Sequence, residues 1–101
     1  MEIDIVSNES GTTATLVGEA DADNCALIGA ALLADTVTHP LSLDLGGLTF
    51  LDSSAISELL EVHNALRQRA VDMSVVGVSP SARRVLEITG LLDHFGISDT
   101  E

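Results

Sequence analysis

A chain of 101 residues with sixteen acids against four bases, all arginine, carries a formal charge of −12, a field that repels nucleic acid and anionic membranes and favours a partner with a basic face. A hydrophobic content of 46% with only Phe50 and Phe95 as aromatics excludes a disordered chain and implies a core of Leu, Val, Ile and Ala in a single domain, 1–101. The lone Cys25 excludes an intramolecular disulfide, and an apolar run of roughly 18 residues for a membrane span is absent, as is a basic signal-peptide start in Met1-Glu2-Ile3-Asp4, so a cytoplasmic protein without membrane insertion is expected.

Ile3 and Ile5 alternate with Glu2 and Asp4, which reads as a first strand continuing through Val6-Ser7. Asn8-Glu9-Ser10-Gly11 is a turn cluster, and Thr12 to Gly18 is β-branched enough to return as the second strand of a hairpin. The acidic run Glu19 to Asn24 offers several N-caps and predicts a helix from about Ala22 to Thr36, with Cys25, Ile28, Leu32 and Leu33 on its inner stripe. Gly29 inside that helix costs roughly 1 kcal/mol against alanine, so something is expected to pack close to it. After Val37-Thr38-His39-Pro40, the alternation of Leu41, Leu43 and Leu45 with Ser42 and Asp44 gives a central strand. Gly46-Gly47 is expected to end it, leaving Leu48 to Leu51 as an apolar loop.

The strongest helical pattern spans about Ser53 to Arg69, where Ile56, Leu59, Leu60, His63, Leu66 and Ala70 recur at three and four residues. Val71 to Val78 reads as a further strand. Ser79-Pro80-Ser81 opens a third helix with proline in its first turn, Val85, Leu86 and Ile88 are expected to face inward, and Gly90 is its C-cap. Leu91 to Phe95 adds a short turn or helix, and 97–101 reads as a frayed tail. The order β-β-α-β-α-β-α predicts an α/β fold with a mixed sheet of about four to five strands, an opening antiparallel hairpin and a parallel centre, packed with three to four helices.

Asp52-Ser53-Ser54 places two hydroxyls and a carboxylate where a helix begins. Unpaired N–H groups and the helix dipole favour an anion there, and a phosphate made on a serine would be one. Taken alone, the three residues read as helix capping. Asp21, Asp23 and Asn24 follow the end of a neighbouring strand and are expected close to that corner. Enzyme chemistry is not expected: a nucleophilic serine needs a base, His63 falls about 14 Å along the helix from Ser54, and His39 and His94 share no motif with it. The sequence has no HxxxH, CxxC or calcium-loop spacing, and Gly46-Gly47 lacks the lysine of a phosphate loop, so neither metal nor cofactor is expected. Arg83 and Arg84 read as surface charges that pair with nearby acids.

The segment L-S-L-D-L-G-G-L-T-F-L-D-S-S-A, residues 41–55, resembles the core motif of the STAS domain family, the anti-sigma factor antagonists, in which a strand leads into a D-x-S-G-x-x-F-x-D-S-S/T-G/A loop. Gly18-Glu19-Ala20-Asp21 is similar to the family's G-E-L/I-D entry to its first helix, and Val85-Leu86-Glu87-Ile88-Thr89-Gly90-Leu91 to its closing V-L-E-L-T-G-L. Ala20, Gly46 and Ala55 depart from the usual residues. The resemblance implies that Ser53, directly after the aspartate, is the phosphorylated residue, with Asp52 the acid needed for kinase recognition and Ser54 a structural hydroxyl. It implies a partner that is both anti-sigma factor and serine-protein kinase, which binds the unmodified antagonist, releases its sigma factor and then phosphorylates the antagonist with ATP, and a phosphoserine phosphatase that reverses the step.

The docking face implied comprises Asp52, Ser53, Ser54, Ala55, Ser57 and Glu58, with Asp21, Asp23 and Asn24 beside it. The same resemblance leaves a second function open, a non-phosphorylated scaffold or a subunit of a lipid-transport ABC complex. The oligomeric state is open between a monomer and a weak dimer.

Overall fold

The structure, a computed structural model, describes residues 1–34, 37 and 40–97. Strand β1 (Glu2–Asn8) and strand β2 (Gly11–Ala20) form the antiparallel hairpin, in which Ile3 faces Leu16 and Ile5 faces Ala14. Asn8 Oδ1 accepts from Ser10 N at 2.7 Å to tighten the turn, and Gly11 closes it at φ 129 with its missing side chain leaving room for the Pro40 carbonyl. Strand β3 (Leu41–Leu51) lies parallel to β2, and strand β4 (Met73–Val78) lies parallel to β3, giving one four-stranded sheet in the order β1-β2-β3-β4. The helices are α1 (Ala26–Leu32), α2 (Ser53–Gln68) and α3 (Pro80–Ile88), with α1 packed on α2 and α3 on β3.

The core lies on one side of the sheet. Ala14 and Leu16 of β2 and Leu41, Leu43 and Leu45 of β3 are buried, while their sequence neighbours Thr13, Ser42 and Asp44 are exposed or half-buried on the opposite face. Against that inner face pack Ile28 and Leu32 of α1, Ala55, Ile56, Leu59, Val62 and Leu66 of α2, and Ala82 and Leu86 of α3. Fully burying each such leucine or isoleucine contributes roughly 1.5–3 kcal/mol.

Several boundaries differ from the sequence expectation. Gly46-Gly47 does not end β3, because β2 continues beside it: Val17 pairs with Gly47, Gly18 with Leu48, Glu19 with Phe50 and Ala20 with Leu51. Only β4 leaves at that point, its last partner being Leu45. Gly47 suits the close approach, since a Cβ there would lie 2.9 Å from Val17 Cγ2. Helix α1 starts at Ala26 rather than Ala22, because the polar residues before it bond within their own turn instead of capping it. It ends at Leu32 instead of running to about Thr36, with Leu33 as its C-cap, while Thr36 itself and His39 lie outside the described residues.

On α3, Ile88 is 73% exposed rather than inward, because it stands two positions from buried Leu86 and so points to the other side of the helix. Ala70 is likewise not on the inner stripe of α2: it follows the helix at φ 60, with Ala70 N bonded to Arg67 O at 3.0 Å and Val71 N to Leu66 O at 2.8 Å, a left-handed helix stop. Ile97 is buried and Ile97 N donates to Leu92 O at 2.8 Å, so the frayed tail does not include residue 97, and 98–101 lie outside the described residues.

Candidate functional site

Where β3 leaves the sheet, Leu51 is buried and anchors the chain, Asp52 N donates to Ala20 O at 3.2 Å, and the backbone at Asp52 is still extended. Asp52 is the N-cap of α2. Its carbonyl accepts from Ile56 N at 3.0 Å, and its side-chain Oδ1 accepts from Ala55 N at 3.0 Å, so the aspartate satisfies donors that an uncapped helix leaves open. The capping role read from the residues alone is therefore present. Its second oxygen, Oδ2, does something capping does not require: it accepts from Ala22 N at 3.2 Å, thirty residues away in sequence.

Ser53 is the first residue of α2 and is exposed. Ser54 is half-buried. Ala55 is fully buried, with its N–H taken by Asp52, so it supports the corner from beneath and its methyl is not on the surface. Ser57 is exposed and shares a helix side with Ser53, four residues earlier. Glu58 is half-buried, with its carboxylate over Gly29, in the space that a side chain at residue 29 would fill; this is the close neighbour expected of that glycine.

Asp21, Asp23 and Asn24 do meet the Ser53 corner. Asn24 N and Cys25 N donate to Asp21 O at 3.2 and 2.8 Å, forming a turn over 21–25. Within it Asn24 Oδ1 accepts from Asp21 N at 2.9 Å, Asp21 Oδ1 accepts from Asp23 N at 3.0 Å, and Asn24 Nδ2 donates to Glu19 O at 2.8 Å. The pairing of Ala20 with Leu51 and the bond from Ala22 to Asp52 join this turn to the start of α2. The turn thus brings Asp21 and Asp23 to the same end of the sheet as Asp52 and the exposed Ser53.

Sequence reasoning treated the histidines as scattered, yet two of them meet. The rings of His63 and His94 stand 4.9 Å apart, edge to face, and both contact Phe95, at 5.5 and 5.2 Å. His63 Nδ1 is sealed from solvent with no hydrogen-bond partner among the described residues, and the imidazole titrates below its ordinary range because of burial first, then the neighbouring His94 and Arg67. The i, i+3, i+4 pattern of α2 could flag His63 as inward, but nothing local ties it to residue 94. Among the described residues no group of three or more His, Cys, Asp or Glu side chains is arranged to hold a metal, and no helix is long and apolar enough to cross a membrane.

The sequence model of the STAS domain family matches residues 2–101. The chain belongs to the STAS domain family. An anti-sigma-B factor antagonist of Listeria monocytogenes is 31% identical over 88 residues, covering 85% of this chain and 77% of that protein. The crystal structure of an anti-sigma factor antagonist from Mycobacterium paratuberculosis is similar with a TM-score of 0.81 at 21% identity, over 97% of this chain and 85% of the other. The anti-sigma factor antagonist SpoIIAA in its unphosphorylated form is similar with a TM-score of 0.70 at 22% identity, over 89% and 82% of the two chains. At such identities these two likenesses speak for the STAS fold, and the four-stranded mixed sheet with three helices agrees with it.

Proposed function

We propose that this STAS protein is an anti-sigma factor antagonist in a bacterial partner-switching pathway, acting by binding rather than by catalysis of its own, in the cytoplasm and without a cofactor. In its unmodified form it docks on an anti-sigma factor that is also a serine-protein kinase, which frees the sigma factor. Phosphorylation of Ser53 ends the docking, and a phosphoserine phosphatase restores it. The docking surface is formed by Asp52, Ser53, Ser54, Ser57 and Glu58 with Asp21, Asp23 and Asn24, and Ala55 holds the helix start beneath it.

The observation that carries this reading is the exposed Ser53 hydroxyl at the first position of a well-capped helix, within a segment that has the family's motif. A kinase needs a hydroxyl it can reach, and a phosphate there adds about −1.5 to −2 charges beside the Asp52 carboxylate. The helix N-terminus tolerates that charge, so the fold stays intact. Across an interface, a like charge opposite it costs several kcal/mol, more than a hundredfold in affinity.

The test is incubation with a candidate anti-sigma factor kinase and ATP, followed by mass spectrometry of intact protein and peptides. One phosphate on Ser53 is expected, none on Ser53→Ala, and Ser53→Ala should bind the partner as the parent does. A Ser53→Asp protein that bound the partner as well as the parent would defeat the electrostatic switch.

A further inference from the structure

Serine, threonine and asparagine cap helices about as well as aspartate, so capping alone does not call for the acid at residue 52. The second oxygen does. An ionised carboxylate only accepts, and Asp52 uses this on both sides, taking Ala55 N on Oδ1 inside α2 and Ala22 N on Oδ2 across the gap to the 21–25 turn. The other side-chain bonds of that turn run within it or back to Glu19. Bonds from an N–H to an ionised oxygen are stronger than neutral ones, so this one can fix where the turn stands.

We propose that Asp52 is a positioning residue, whose Oδ2 locks the turn bearing Asp21, Asp23 and Asn24 onto the start of α2, so that the turn and Ser53 meet a partner as one fixed surface. Removing the acid then weakens docking by freeing the turn, not by deleting a charge that the kinase reads. The proposal rests on the docking surface described above, and its structural half stands without it.

Two substitutions cut the bond from opposite sides. Asp52→Asn keeps a carbonyl oxygen for Ala55 N but turns an NH2 group toward Ala22 N, donor against donor. Ala22→Pro leaves Asp52 and its charge untouched and removes the N–H. Residue 22 is the second position of the turn opened by Asp21, where a φ near −60° suits proline.

In the free protein, amide hydrogen exchange at Asn24 and Cys25 should quicken roughly tenfold in both variants, with Ala55 in Ala22→Pro unchanged. Affinity for the kinase used in the Ser53 assay should fall roughly tenfold in both, with Ala22→Pro still folded by circular dichroism. Unchanged exchange at Asn24 and Cys25 in Asp52→Asn overturns the proposal whether or not Ala22→Pro folds. So does weak binding by Asp52→Asn beside parental binding by Ala22→Pro, which would make Asp52 a recognition charge. If the parent protein itself binds no kinase, the docking reading fails, and the exchange measurement still decides the positioning role.

Discussion

Helix α2 begins on a carboxylate with both oxygens occupied, whereas its C-terminal half carries His63 with a sealed nitrogen lacking a partner among the described residues and is followed by Ala70, a non-glycine residue at φ 60. The first region is tied to its neighbouring turn by a carboxylate and leaves Ser53 exposed; the second is held by ring contacts with His94 and Phe95, by burial of Val62 and Leu66, and by Arg69 Nη1 donating to Leu33 O at 2.9 Å. Packing is non-directional, so an end held largely by buried contacts sets no angle for the side chains on its surface. On the proposed docking role, the end that bears Ser53 must fix the angle of its hydroxyl, and hydrogen bonds do that.

The largest effect should come from removing the packed end's anchor. Phe95→Ala deletes a buried ring and should cost roughly 3–5 kcal/mol, read as a lower denaturant midpoint, while leaving Ser53 phosphorylation intact in the folded fraction. At the other end, Asp52→Ala should cost about 1–2 kcal/mol through the lost cap and should also impair docking, so stability and binding fall together there and separately at Phe95. A change of opposite sign sharpens the contrast: Ala70→Gly relieves the left-handed strain and should stabilise by about 0.5–1 kcal/mol by thermal melting, with no change in partner affinity.

The smallest effect concerns pH. His63 in the folded protein takes up its proton at a lower pH than in the unfolded chain, where the ordinary value is 6.5, so between the two the unfolded state holds more protons. Stability should therefore be level above 6.5 and decline as pH falls from there through the lowered folded value. Denaturant titrations across that range, with His63→Gln flattening the decline, check both the sign and the residue. Burial is the largest cause of that lowered value, with the neighbouring His94 and Arg67 contributing to the same shift.

Much of this was legible in the residues. The alternation of Ile3 and Ile5, and of Leu41, Leu43 and Leu45, is a one-sided strand pattern, and both strands face the core with those residues. Asp52 was legible as a cap and Ser79-Pro80-Ser81 as the opening of α3; Asp52 Oδ1 accepts from Ala55 N, and Ser79 Oγ from Ala82 N at 3.0 Å. The Gly46-Gly47 pair misled because a glycine breaks a strand only when no neighbour holds it, and β2 does. Asp21, Asp23 and Asn24 misled as helix caps because the same short side chains also bond within their own turns.

Local periodicity and capping chemistry alone determined the order β-β-α-β-α-β-α, the amphipathic faces of the strands and of α2, and a serine at the start of a helix, since each depends on residues within a turn or two of one another. What brought Ala22 to Asp52, His94 to His63, and Glu58 over Gly29 was the folded chain. Those contacts join residues 29 to 31 positions apart, and their geometry follows from how the strands register and the helices pack, which no local pattern encodes.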